Sequence, residues 1–114
     1  MADTEARIQS EIVTWFNNTY CLAFCSPRSL ILSIPNGGER SFVSASLSKS
    51  TGEYVGVADL LVIHKGKVLF VEVKTEIGKQ SEKQKQFEQH ILSAGFPYHL
   101  VRSLEEFKKL IAEI

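Results

Sequence analysis

Apolar positions recur along the chain at two different periods. Between Thr4 and Asn18 the residues Ile8, Ile12, Trp15 and Phe16 share one face at helical spacing, which predicts an amphipathic helix closed by Asn17-Asn18. A short strand is expected near Leu30 to Ile34, ended by the turn signal "PNGG" at Pro35 to Gly38. Residues 39 to 51 show no clear period, and a short helix is one reading of them. Two apolar runs follow, Val57 to His64 and Lys67 to Lys74, joined by Lys65-Gly66 as a two-residue hairpin turn. After Gly78, "SEKQKQFEQHILSAG" has Ser81 at the N-cap, Phe87, Ile91 and Ala94 on one face, and Gly95 as terminator. "FPYHLV" reads as a strand, and Ser103 with Glu106 as a capping box that opens a last helix through Leu104, Phe107, Leu110 and Ile111. This order predicts an α/β or α+β sandwich, a mixed sheet flanked by helices.

A length of 114 residues, 44% apolar and 23% charged, suits one globular domain spanning residues 1–114 with one modest core. No apolar run approaches the roughly 20 residues that cross a bilayer, and the start "MADTEARIQS" is polar, so no membrane association and a cytoplasmic location are expected. Cys21 and Cys25 lack the companions of a zinc site and read as reduced, structural thiols. The formal net charge of zero means that any nucleic-acid surface must come from lysines and arginines gathered on one side.

The two hairpin runs carry charges where core residues are expected. With Lys65-Gly66 as the turn, cross-strand partners have residue numbers summing to 131, which sets Asp59 opposite Glu72. Strand alternation puts Phe70 and Lys74 on the face of Glu72, while Leu60, Val62, Leu69, Val71 and Val73 point into the core. Directly opposed carboxylates repel. Either this face is open to water, or something neutralises it: Lys74 in part, and a hard divalent cation bridging both acids more completely. Two helices add polar groups to their apolar stripes. Glu5 lies three residues before Ile8 and is expected on the inward face, with Glu11 at its edge, although Glu5 equally suits the helix dipole. Gln84 has the same relation to Phe87, and also reads as the back half of a capping box with Ser81.

Asp59 followed by Glu72-Val73-Lys74 resembles the PD-(D/E)xK nuclease motif, a weak signal alone. Together with "EARIQ", "PNGG", "GVADLLV", the glycine turn, "VEVK", and then a glycine, "S..Q" and a glycine eleven residues on, nearly the whole chain resembles the VRR-Nuc family, the virus-type replication-repair nucleases. The resemblance implies a restriction-endonuclease-like α/β core and a metal-dependent DNA endonuclease. It implies that Glu5, Asp59 and Glu72, with the Val73 carbonyl, ligate Mg²⁺ or Mn²⁺, and that Lys74 and Gln84 serve the hydrolytic step. The minimal stand-alone members of the family are homodimers acting on branched DNA such as four-way junctions, which makes both features expectations here. One departure is Ala58, where the family usually has proline before the aspartate. Arg7, Lys79, Lys83 and Lys85, with Arg40 as a weaker candidate, are expected to hold the DNA backbone. Competing readings are a catalytically silent nucleic-acid-binding module, a sequence-specific restriction-like enzyme, and an interaction protein whose hairpin charges are merely exposed. His64, His90 and His99 are scattered and are assigned no role.

Overall fold

A computed structural model of the chain describes residues 4–35, 52 and 54–114. The "NGG" of the expected turn, the ambiguous segment 39–51 and Arg40 lie outside the described residues. Among the described residues seven elements follow one another: α1 (Glu5–Tyr20), β1 (Leu30–Ser33), β2 (Leu60–His64), β3 (Lys67–Val73), α2 (Glu82–Ser93), β4 (Tyr98–Val101) and α3 (Leu104–Ala112). The strands form one mixed sheet in the order β1-β2-β3-β4, antiparallel except for the parallel β3–β4 pair that α2 connects. A parallel pair requires such a crossover, because no tight turn can join strands running the same way.

The β2–β3 hairpin has the expected register, with Leu60 paired to Val71 and His64 to Lys67. Lys65 and Gly66 both have positive φ, 52° and 75°, the backbone that a type I′ turn needs and that matches the twist of the flanking strands. Alternation along β3 then divides the molecule into two layers. Leu69, Val71 and Val73 join Leu60 and Val62, Ile8, Ile12 and Phe16 of α1, and Phe107 and Ile111 of α3 in one buried cluster. Phe70 faces the other way, toward a smaller cluster built from Val57, Ala58, Phe87 of α2 and Tyr98 of β4. The sheet is therefore covered by α1 and α3 on one face and by α2 on the other.

Several boundaries depart from the sequence reading. Helix α1 runs past Asn17-Asn18 to Tyr20, since asparagine is only mildly unfavourable in a helix and the Tyr20 ring packs edge-on against Trp15, 5.7 Å between centroids. The first hairpin run forms strand only from Leu60, three residues later than expected. In the continuing register Val73 would bond Ala58, but its N–H is taken by the Asp59 side chain, which ends the ladder. Ala58, in the place of the family's usual proline, is wholly buried in the α2-side cluster. At α3 the Ser103 hydroxyl caps Glu106 as expected, whereas the Glu106 carboxylate accepts from Arg102 N–H, one residue before the N-cap.

Candidate active site

The charged residues of the hairpin meet where β3 leaves the sheet. Glu72 lies on the α2 side of β3 and is completely buried (0% exposed), and Lys74, just past the strand end, is 8% exposed. The reading of these charges as an open, solvated strand face is thereby excluded for both residues. Asp59 is half-buried, one step beyond the Leu60–Val71 pair and so across from Glu72. Its Oδ2 accepts the Val73 N–H at 2.7 Å. In an extended strand the N–H and C=O of one residue leave on the same side. The Val73 carbonyl consequently faces the flank on which Asp59 stands.

Glu72 is held asymmetrically. Tyr98 donates its hydroxyl proton to Glu72 Oε1 at 2.6 Å, while Glu72 Oε2 is buried without a hydrogen-bond partner among the described residues. Native proteins rarely leave a buried polar atom unpaired, so such an atom calls for an explanation such as an ion. Burial raises the carboxyl of Glu72 above its ordinary value; Tyr98 and Lys74 pull it down, and Asp59 and Glu5 push it up. Asp59 is also raised, by burial first and by Glu5, against the lowering effects of the Val73 N–H and Lys74. Two carboxyls that burial makes reluctant to ionise form a site whose charge a cation would relieve.

Glu5 does not lie on the buried face. It is exposed in the first turn of α1, because the stripe of Ile8, Ile12 and Phe16 becomes buried only from Ile8 onward. It stands close enough to disfavour ionisation of both Asp59 and Glu72. Among the described residues no three His, Cys, Asp or Glu side chains are already assembled as a ligand set. The oxygens of Asp59, Glu72 and the Val73 carbonyl nevertheless fit a hard divalent cation, which prefers oxygen ligands and retains water in its shell. The orphaned Glu72 Oε2 is the observation on which that fit rests.

Gln84 forms the capping box: its Oε1 accepts from Ser81 N–H at 2.8 Å, and its own N–H donates to Ser81 Oγ at 3.2 Å. The segment leading to Asp59 lies against the N-terminal turn of this helix at Gly56. A Cβ on Gly56 would lie 2.5 Å from the Lys83 carbonyl carbon and 2.9 Å from Gln84 N, and φ is +85°. Arg7 on α1, Lys79 beyond β3, and Lys83 and Lys85 on α2 are all exposed. Lys85 pairs with Glu82 at 3.5 Å on the surface.

Sequence reasoning missed two residues that shape the site. Tyr98 comes from the neighbouring parallel strand, 26 residues from Glu72. Arg102 Nη1 donates to the carbonyls of Thr75 (2.6 Å), Glu76 (3.2 Å) and Gly78 (2.8 Å), clamping the loop that follows Lys74. Gly78 in that loop sits against Lys74, whose Cδ would lie 3.5 Å from a Cβ there. A buried tyrosine is one signal that could have been followed, since its hydroxyl needs a partner; for Arg102 the sequence offers none. His64 is buried with Nδ1 2.7 Å from Ser29 Oγ, among the rings of Phe16 and Tyr20, and burial lowers its pKa. No described helix is long and apolar enough to cross a membrane.

No family model and no curated protein matches the sequence. Solved structures match its fold. One described as "VRR_NUC domain protein" superposes with a TM-score of 0.74 at 16% identity, covering 99% of this chain and 88% of its own. Another, "VRR_NUC domain", gives a TM-score of 0.62 at 26% identity, covering 96% of this chain and 97% of its own. With the buried Asp59–Glu72 end of a mixed sheet already in place, these superpositions identify the chain's architecture as a VRR_NUC fold, a nuclease-type α/β domain.

Proposed function

We propose that this protein is a metal-dependent deoxyribonuclease that hydrolyses phosphodiester bonds, selects branched DNA such as four-way junctions, and acts as a homodimer. The observation that carries the catalytic part is the fully buried Glu72, with Oε2 unpartnered, across the sheet from an Asp59 anchored by the Val73 N–H. Leaving a charge in such a place costs stability, and a ligand role gives the cost a purpose. Asp59 and Glu72, with the Val73 carbonyl, would hold Mg²⁺ or Mn²⁺, and Glu5 would complete the shell from the first turn of α1. The cation, when bound, supplies an activated water and neutralises charge on the phosphate. Lys74 places an ammonium group beside both acids, where it orients the attacking water and stabilises charge developing on the phosphoryl oxygens. Gln84, in the N-terminal turn of α2, would serve the hydrolytic step. Exposed Arg7, Lys79, Lys83 and Lys85 would contact the DNA backbone, which makes affinity fall with added salt. The branched substrate and the dimer are supported by the VRR-Nuc resemblance, and by the small surface a single domain of this size offers to a junction.

The test is cleavage of labelled four-way junction, flap and linear duplex DNA with Mg²⁺ or Mn²⁺. Wild type should cut the branched substrates in a metal-dependent way, and Asp59→Ala and Lys74→Ala should each abolish cutting, with only the former weakening metal binding. Failure of folded wild type to cut any substrate with metal present would refute the enzyme reading and leave a binding module. Equal metal affinity in wild type and Asp59→Ala would reject the ligand assignment.

A further inference from the structure

Tyr98 is outside every motif on which the functional reading rests, yet it makes the shortest polar contact to Glu72. Its ring is 8% exposed and packs with Val57, Ala58 and Phe87. A phenylalanine would fill the same space without bringing a hydroxyl into the cluster, so the hydroxyl asks for a reason of its own.

The hydrogen-bond directions around it are determined by chemistry. Gln80 Nε2 is a donor, and it reaches both Glu88 Oε1 at 3.1 Å and Tyr98 Oη at 3.2 Å. Tyr98 Oη therefore accepts from Gln80, and its single proton goes to Glu72 Oε1 at 2.6 Å. The relay runs one way, from the amide through the phenol to the carboxylate. Its anchor on Glu88 lies in α2, and the phenol itself is set by the β3–β4 register, in which Phe70 pairs with Tyr98 and Glu72 with Leu100. Two elements thus hold one oxygen of Glu72 and leave the other bare.

We propose that Tyr98 is a positioning residue: by holding Glu72 Oε1 it fixes the carboxylate so that a single oxygen, Oε2, is offered to a divalent cation. This rests on the reading of Glu72 as a metal ligand. Without the hydroxyl the carboxylate would be free to rotate and to turn either oxygen inward, so the cation would meet a site that must first be ordered. Partners that orient a ligand from behind typically account for about 10- to 100-fold in metal affinity.

The experiment is titration with Mn²⁺ alone, followed by the electron paramagnetic resonance signal of the free ion, on the full chain as wild type, Tyr98→Phe and Phe87→Leu. Phe87→Leu loosens the same cluster without touching the hydroxyl relay. The expected result is a dissociation constant raised about 10-fold or more in Tyr98→Phe, with Phe87→Leu close to wild type. Wild-type affinity in Tyr98→Phe overturns the proposal while leaving Glu72 as a ligand, and so does equal weakening in both variants, which would mark a stability effect. No Mn²⁺ binding by wild type overturns the functional reading itself, and the role of Tyr98 with it. If Tyr98→Phe does not fold, Gln80→Leu, which keeps the phenol and releases its anchor, should raise the constant several-fold; an unchanged value there refutes the relay.

Discussion

Replacing Glu72 with glutamine should make the metal-free protein more stable while removing its response to a divalent cation. In wild type the carboxylate is 0% exposed, with Oε1 bonded to Tyr98 and Oε2 unpartnered. Directly opposed strand positions hold their Cβ atoms about 5 Å apart. Unit charges at about that distance, in an effective dielectric of about 20, repel by roughly 3 kcal/mol. The variant also forfeits the attraction of Lys74, of similar size, so the two charge effects largely cancel. What remains is the desolvated oxygen, whose unmet hydrogen bonding costs about 1–3 kcal/mol. Glutamine keeps the shape, accepts from Tyr98 through its carbonyl, and places an NH₂ donor beside the carboxylate of Asp59. A net gain of about 1 kcal/mol is expected, or about 4 °C in Tm for a domain of this length. The pH dependence carries a sign. Burial, with Asp59 and Glu5, raises the Glu72 carboxyl above its ordinary value. Between the unfolded and folded values the folded state therefore binds more protons, and wild-type stability falls as pH rises through that interval. The advantage of glutamine should be absent below about pH 4, near the unfolded glutamate value, and complete above the folded one. The assay is thermal melting in chelator across pH, repeated with excess Mg²⁺, where wild type should gain about 2.7 kcal/mol at a hundred times Kd and the variant nothing. A variant less stable than wild type in chelator at neutral pH would refute the charge argument. One stabilised by Mg²⁺ as much as wild type would refute the ligand role.

Two further substitutions test the walls of the site. Gly56→Ala, forced into φ +85° with its Cβ 2.5 Å from the Lys83 carbonyl carbon, should lower stability by about 2 kcal/mol or more, read by urea unfolding; a wild-type midpoint would show that the α2 turn yields freely. Arg102→Met keeps a stem of similar length but removes the donors to the carbonyls of Thr75, Glu76 and Gly78. It should cost about 1.5–3 kcal/mol and speed amide exchange in the loop from Thr75 to Gly78, and unchanged exchange there would deny the clamp.

The parts legible in the sequence were those set by local rules. Lys65-Gly66 fixed the hairpin register, because both residues must accept positive φ and only one pairing follows from a two-residue loop. Ser81 marked its helix start because an N-cap is read from the residues beside it. Neighbours set by the parallel crossover were not legible: nothing near Tyr98 or Arg102 in sequence says that one meets Glu72 and the other the loop after Lys74. Periodicity also misplaced Glu5, since it gives the direction of a side chain and not whether anything covers it. Nor could the alternation around Glu72 distinguish a solvated face from a buried one, which depends on the length of α2 and on how closely Gly56 lets the chain approach it.

These hidden neighbours have something in common. Asp59, Glu72 and Lys74 are individually poor choices for the end of a core strand, and their arrangement persists only because groups remote in sequence constrain it. Val73 N–H holds Asp59 instead of completing the ladder, Tyr98 holds one oxygen of Glu72, and Gly56 lets the segment leading to Asp59 lie against the helix that carries the capping box. Each constraint acts on a different wall, so loss of one should not be compensated by the others. Substitutions at such positions would then disturb the charged site more than their effect on folding stability alone suggests, and metal affinity measured beside metal-free melting separates the two.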